Sequence, residues 1–251
     1  MYLYIRKTCI GSSLHVYMMQ TTYIELAGIP IEVRSQYNSD FLRDFTTDRT
    51  PLLKVEPGEA DLDWMRKALQ GNCSPSFVEN NALHALLASA LLDYNILLMH
   101  GSALCMDGEA YIFAAPSGTG KSTHARLWRE TFGDRVWMIN DDKPLIRVEE
   151  ERAVVYGSPW CGKHKLGCNG SARLKAVVEL TRDSRNHIEA VKEPFPYLMQ
   201  HIWRPEDRNR MQKVLDLEKR LIAQAAFYQM GCNTEPEAAL VAWKGMRASM
   251  C

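Results

Sequence analysis

The sequence has no surplus of charge of either sign: Lys plus Arg and Asp plus Glu each number 30. No long-range field therefore draws the chain to nucleic acid, to an anionic membrane or to an acidic substrate, and any anion it binds must be held by local geometry. A CxxC pair is also lacking. The seven cysteines stand apart at positions 9, 73, 105, 161, 168, 232 and 251; an odd, scattered set outlines no disulfide framework and favours a cytoplasmic setting. No apolar run is long enough to span a bilayer. The opening MYLYIRKTCIGSSLHVYMM carries a basic pair at Arg6-Lys7, but Thr8, Gly11, Ser12, Ser13 and His15 interrupt its apolar residues, unlike a secretory leader. Internal repeats and low-complexity tracts are absent as well.

What is present is the composition of an ordinary globular protein, 46% hydrophobic and 24% charged over 251 residues, enough for a substantial core in one or two domains. Met18-Met19, ahead of the first clear strand pattern, suggest a translation start there, with residues 1–17 poorly structured. Residues 23–26 and 29–33 alternate apolar and polar around Ala27-Gly28, as a β-hairpin or two short strands do. Mixed sequence follows to about residue 76. From Phe77 to Tyr94 the apolar residues keep a helical period, and Asn95 is a C-terminal stop. Ile96-Leu97-Leu98-Met99 suits a buried strand. A boundary is expected near 95, between an N-terminal α+β region (1–95) and a second domain (96–251). In that domain strands are expected at 103–106 and 110–114, either side of an Asp107-Gly108 turn, then a helix over 121–132 and a buried strand at 136–139. A loop rich in Gly, Lys and Cys spans 157–170. After it come a strand at 174–180, a helix over about 205–225, a strand at 227–232 and a last helix capped by Asn233 to Glu237. This order predicts an α/β fold.

The segment AAPSGTGKST, residues 114–123, fits [AG]-x-x-x-x-G-K-[ST], with Ala115 first and Gly120-Lys121-Ser122 complete. It lies between a predicted strand and a predicted helix, the context a phosphate loop requires. Gly118 and Gly120 can take positive φ, so successive N–H groups face one concavity at the positive end of the helix. The candidate nucleotide-binding residues are Ser117, Gly118, Thr119, Gly120, Lys121, Ser122 and Thr123. Lys121 would meet phosphate oxygens and Ser122 would ligate Mg²⁺. Asp141 and Asp142 end an apolar strand, at the edge where open α/β sheets bind ligands. Adjacent carboxylates on an extended chain point to opposite sides, so one can face a metal and the other an acceptor. His100 ends the strand before and can approach the same place. Lys163, His164 and Lys165 suit contact with phosphate or an acidic substrate segment, or form a plain solvated loop. Cys161, His164 and Cys168 offer three zinc ligands with no fourth and match no standard finger spacing.

HGSAL, then APSGTGKST, then INDD only 20 residues after Lys121, resemble the catalytic domain of HPr kinase/phosphorylase and the wider PEP-carboxykinase-like P-loop fold. Within it, GSPWCGK and RLKAVVEL are similar to later motifs of the short HPr-kinase-like enzymes that tailor ribosomally made peptides, lasso-peptide precursor kinases included. The resemblance covers residues 96–180 well and the C-terminal third loosely. It implies an HPr-kinase-like P-loop fold with a mixed central sheet and flanking helices, and ATP with Mg²⁺ as cofactors. The implied activity is transfer of phosphate to a hydroxyl, serine in the first place, on a peptide or small protein. It makes Asp141 the general base, held by His100, with Lys121 on the phosphates, and Asp142 a metal-side carboxylate beside Ser122. Two departures stand out. The Glu-x-Arg-Gly signature of HPr kinases is missing where Gly157 to Lys163 stand, and a full HPr-type N-terminal regulatory domain is not apparent; both departures weaken HPr as the substrate and any phosphorolysis activity. The residues themselves leave open a small-molecule kinase, for free serine or a metabolite, and a nucleotide-binding sensor without transfer. Self-association into a homo-oligomer is left open too.

Overall fold

The structure, a computed structural model, describes residues 18–37 and 40–248; the expectation for residues 1–17 falls outside them. The chain divides into two compact units, at Leu87 and Ala88. In the first, strands β1 (Gln20–Leu26) and β2 (Ile29–Ser35) form the expected antiparallel hairpin. Its turn residues Ala27 and Gly28 take φ of 49° and 82°, the doubly positive pair that matches the twist of two joined strands. A short β3 (Leu53–Val55) pairs parallel with β2. Helix α1 (Glu59–Leu69) occupies sequence that reads as mixed, because Met65 is its one buried residue and its apolar face is correspondingly narrow. Helix α2 (Pro75–Leu91) begins in this unit, where buried Glu79 accepts the N–H groups of Gln36 at 2.7 Å and Tyr37 at 2.9 Å and so fixes the chain leaving β2. A 3₁₀ turn and Asn95, at φ 59°, stop the helix where the sequence predicts.

The second unit begins with β4 (Ile96–Leu98), β5 (Ser102–Met106), β6 (Glu109–Ala114), helix α3 (Lys121–Phe132) and β7 (Val136–Asn140). It continues through β8 (Leu145–Val148), β9 (Ala153–Tyr156), β10 (Ser171–Arg182), β11 (His187–Ala190), α4 (Phe195–His201), α5 (Arg208–Gln224), β12 (Ala226–Cys232) and α6 (Glu237–Ala248). The sheet runs β4-β8-β9-β10-β6-β5-β7, with β12 beside β10 and β11 beside β12. It is mixed: β10 is parallel to β6 and β12 and antiparallel to β9. Helices cover both faces. Ala103, Cys105, Ala110, Ile112 and Val177 pack on Leu198 of α4 and on Val214, Leu217 and Leu221 of α5. The alternate residues Leu104, Tyr111, Phe113, Val178 and Leu180 pack on Leu127 and Trp128 of α3 and on Ala238, Ala239 and Ala242 of α6. Burial on two sides is why β5 and β6 read as continuous apolar runs. This is the expected α/β architecture, a mixed central sheet with flanking helices. One strand departs from expectation: β7 ends the sheet order, and Trp137 is 39% exposed on it. Among the described residues no helix is long and apolar enough to cross a membrane.

Glu218 is out of place in this packing. It is fully buried on the inward face of α5, and neither carboxylate oxygen has a hydrogen-bond partner. Burial pushes it from an ordinary 4.5 up to about 7, against the pull of the Arg204 charge. Between those values the folded chain keeps a proton that the unfolded chain has lost, so stability falls as pH rises across the window and stays lowered above it. Glu218→Gln keeps the volume and cannot ionise. Urea unfolding should find it more stable than the parent at pH 8, by about 2–3 kcal/mol at most, with the gain gone at pH 4; a gain equal at both pH values would refute the assignment.

Candidate functional site

The loop between β6 and α3 has both ends fixed. Phe113, two residues before it, and Trp128, on the second turn of α3, are fully buried with ring centroids 5.3 Å apart, and Trp128 Nε1 donates to His124 Nε2 at 3.0 Å. The chain must therefore turn from strand to helix within residues 115–120. Gly118 and Gly120 do so at φ 79° and 133°, and a Cβ at either would meet nothing within 4 Å, so the loop stands open on that side. Helix bonding begins with His124 N–H on Gly120 O, at 2.9 Å, which leaves the N–H groups of Lys121, Ser122 and Thr123 in the unpaired first turn. Lys121 is buried, and its ammonium donates to a single neutral acceptor, Ala115 O, at 2.9 Å. Burial lowers its pKa, and the nearby charge of Asp142 offsets part of that. An open cleft of about 450 Å³ lies alongside, between Pro116 to Thr119 and the end of β10 at Leu180 to Arg182.

A break in the sheet supplies the facing wall. The antiparallel ladder of β5 with β7 stops at Ala103 and Asn140 and resumes as that of β4 with β8 at Leu98 and Leu145. Across the gap the backbone bonds Gly101 N–H to Asp142 O (3.0 Å) and Met99 N–H to Pro144 O (3.1 Å) bridge the strands, and Ser102 Oγ donates to Asp141 O at 3.2 Å. Because β7 and β6 are each antiparallel to β5, β7 runs parallel to β6 and its end lies at the same edge as the glycine loop. His100, Asp141, Asp142 and Lys143 fill this gap. Asn140, fully buried, organises it: Oδ1 accepts the N–H groups of Asp142 (2.8 Å) and Lys143 (2.6 Å), while Nδ2 donates to Ser158 O at 3.0 Å. The 157–170 loop is thereby tied to the end of β7. At Gly157 it passes so close that a Cβ would collide with Cys168 O.

The two aspartates point apart. Asp142 Oδ1 lies 3.2 Å from His100 Nε2 and Oδ2 lies 3.1 Å from Lys143 Nζ. Burial alone would raise Asp142, but the His100 bond and the Lys143 charge hold it down at about 2. Asp141 is buried, and its Oδ1 accepts Gly162 N–H at 2.7 Å. The expectation that His100 holds Asp141 is therefore corrected: the imidazole meets Asp142, because alternation along the strand end turns Asp141 toward the 157–170 loop. Lys121, His100 and Asp142 come together at the sheet edge; Ser117 to Gly120 lie on the loop, and Lys121 to Thr123 form the first turn of α3. Lys163, His164 and Lys165 are exposed, joined to the site through Gly162, and no ion pair among the described residues engages them.

Other residues of the site escape sequence reading. Glu179 stands opposite Ala114 on β10, and its Oε1 lies 3.6 Å from Nε2 of buried His201, which burial holds at about 4, with the charges of His100 and Lys121 adding to the effect. His201 O in turn accepts His100 N–H at 2.7 Å. His201 and Arg182 lie outside the quoted motifs; Asn140 stands in the run INDD and Glu179 in RLKAVVEL, but neither segment by itself shows what those two side chains meet.

No family model matches the chain, and no curated protein matches it in sequence. Among solved structures, the HPr(Ser) kinase/phosphatase from Coxiella burnetii is similar over 61% of this chain and 97% of its own, with 8% sequence identity and a TM-score of 0.36.

Asn140→Ala would leave two part-buried N–H groups without their acceptor and cut the tie to the 157–170 loop. The expected loss is about 1–3 kcal/mol in urea unfolding, together with faster tryptic cleavage after Lys163 and Lys165. Parent-like values in both measurements would mean that the carboxamide does not hold the loop.

Proposed function

We propose that the protein is an ATP- and Mg²⁺-dependent phosphotransferase acting on a hydroxyl, serine first, of a peptide or small protein in the cytoplasm. The observation that carries this reading is Lys121: a buried ammonium with one neutral acceptor, at a helix N-terminus, beside a glycine loop open to solvent. A buried cation with no carboxylate in direct contact is costly even with the charge of Asp142 nearby, and a polyphosphate would supply a close partner. The residues fit that group. Ser117 to Thr123 would hold the phosphates, and Ser122 with Asp142 would hold the metal, completed by phosphate oxygens, since Mg²⁺ in such sites rests on few protein ligands. Bound Mg²⁺ would neutralise charge on the transferred phosphoryl group.

The geometry favours His100, rather than Asp141, as the proton acceptor. Asp142 orients the imidazole and would stabilise the charge it gains, whereas Asp141 is committed to the Gly162 N–H. Asp141 then serves the acceptor indirectly, by holding the loop that presents Lys163, His164 and Lys165. That basic segment supports a peptide acceptor with acidic residues near its hydroxyl, and ribosomally made precursor peptides are the first candidates to test.

Lys121→Ala should weaken ATP binding at least tenfold in calorimetry with the fold intact; equal affinity removes the phosphate-loop reading. His100→Ala should lower single-turnover transfer to a serine peptide by about a hundredfold with ATP affinity unchanged. Asp142→Asn should instead raise the Mg²⁺ concentration needed. Transfer at the parent rate in His100→Ala would overturn its role, phosphorylation of free serine but no peptide would shift the acceptor class, and ATP binding without transfer to any hydroxyl would make the protein a nucleotide sensor.

A further inference from the structure

Arg182 has no role in the chemistry above, yet it makes the one link between the glycine loop and the neighbouring strand that the side chains of β10 provide. Its Nη2 donates to Gly118 O at 2.6 Å and its Nε to Thr119 O at 3.2 Å. Among the described residues no carboxylate pairs with the guanidinium. Its reach follows from register: Glu179 of β10 pairs with Ala114, the last residue of β6, and β10 runs on to Arg182 beside the loop.

We propose that Arg182 is a positioning residue for nucleotide binding, which pins the carbonyls of Gly118 and Thr119 so that the loop keeps its phosphate-facing form before any ligand arrives. The inference rests on reading residues 115–120 as the phosphate loop. A peptide unit is planar, so fixing a carbonyl also fixes the following N–H in the opposite direction. Pinning Gly118 O directs Thr119 N–H, which donates to Pro116 O at 3.2 Å and closes the turn. Pinning Thr119 O turns Gly120 N–H away from Arg182. The loop needs such a pin because Thr119 lies between two glycines at positive φ, and glycine's freedom would otherwise have to be removed at the moment of binding, at the expense of affinity. Only a planar fork can hold two successive carbonyls at once; a lysine ammonium offers the same charge as a single point.

The test compares Arg182→Ala and Arg182→Lys in the full chain, with two measurements. Amide exchange at Thr119, followed by NMR without nucleotide, should be about tenfold faster in Arg182→Ala. Calorimetry should show ATP and ADP binding weakened about tenfold in the same variant. Arg182→Lys should recover part of the affinity while exchange stays fast. Parent-like exchange in Arg182→Ala would overturn the pin. Full recovery of affinity in Arg182→Lys with exchange still fast would also overturn it, since the side chain would then act only as a charge. If the parent bound neither ATP nor ADP, the phosphate-loop reading would fall by itself, and the exchange rates would still decide whether Arg182 holds the loop.

Discussion

Everything at this site depends on a short connection whose two ends cannot move. Phe113 and Trp128 are buried against each other, one at the end of β6 and one on α3, so six residues must turn the chain from strand to helix in the space between. Only glycine takes the required φ without strain. The same turn leaves first-turn N–H groups unpaired and brings Lys121 under its own loop, onto Ala115 O. A packing requirement thus produces a helix N-terminus with a buried positive charge beside an open loop, an arrangement with the chemistry to attract an anion.

The opposite wall arises from an interruption. Had β4–β5 and β7–β8 paired without a break, residues 99–102 and 141–144 would be ordinary ladder. Instead Asn140 turns its carboxamide on the backbone of Asp142 and Lys143 and on Ser158. That one side chain stands in for the missing ladder bonds and anchors the 157–170 loop. The gap so formed accommodates His100 and the two aspartates at the edge where β6 and β7 both end. Asp142 is kept ionised there by His100 and Lys143 despite the desolvation it meets, and it orients the imidazole.

Much of this was legible in the chain. The Ala27-Gly28 turn, the Asn95 stop, the strand before the glycine loop and the helix after it follow from local conformation and from the period of apolar residues, which depend on neighbours within a turn or two. The mixed stretch before residue 76 hid α1, and β8 also escaped, since a helix with one buried residue or a strand of four carries too little pattern to stand out.

The sequence by itself determined the loop 115–120, the residue types on it and the acidic pair that follows, because a glycine-rich turn and a run of adjacent carboxylates are local facts. Only the tertiary structure decided which aspartate meets His100, that Arg182 grips the loop, and that Glu179 and His201 lie beneath it. Those contacts join residues 22 (Glu179 and His201), 42 (His100 and Asp142) and 64 (Gly118 and Arg182) positions apart, and they depend on sheet register rather than on spacing along the chain. Register is set when β5 and β6 bury their side chains on both faces and β7 pairs with β5, and a shift by one residue would exchange Asp141 for Asp142 at the imidazole.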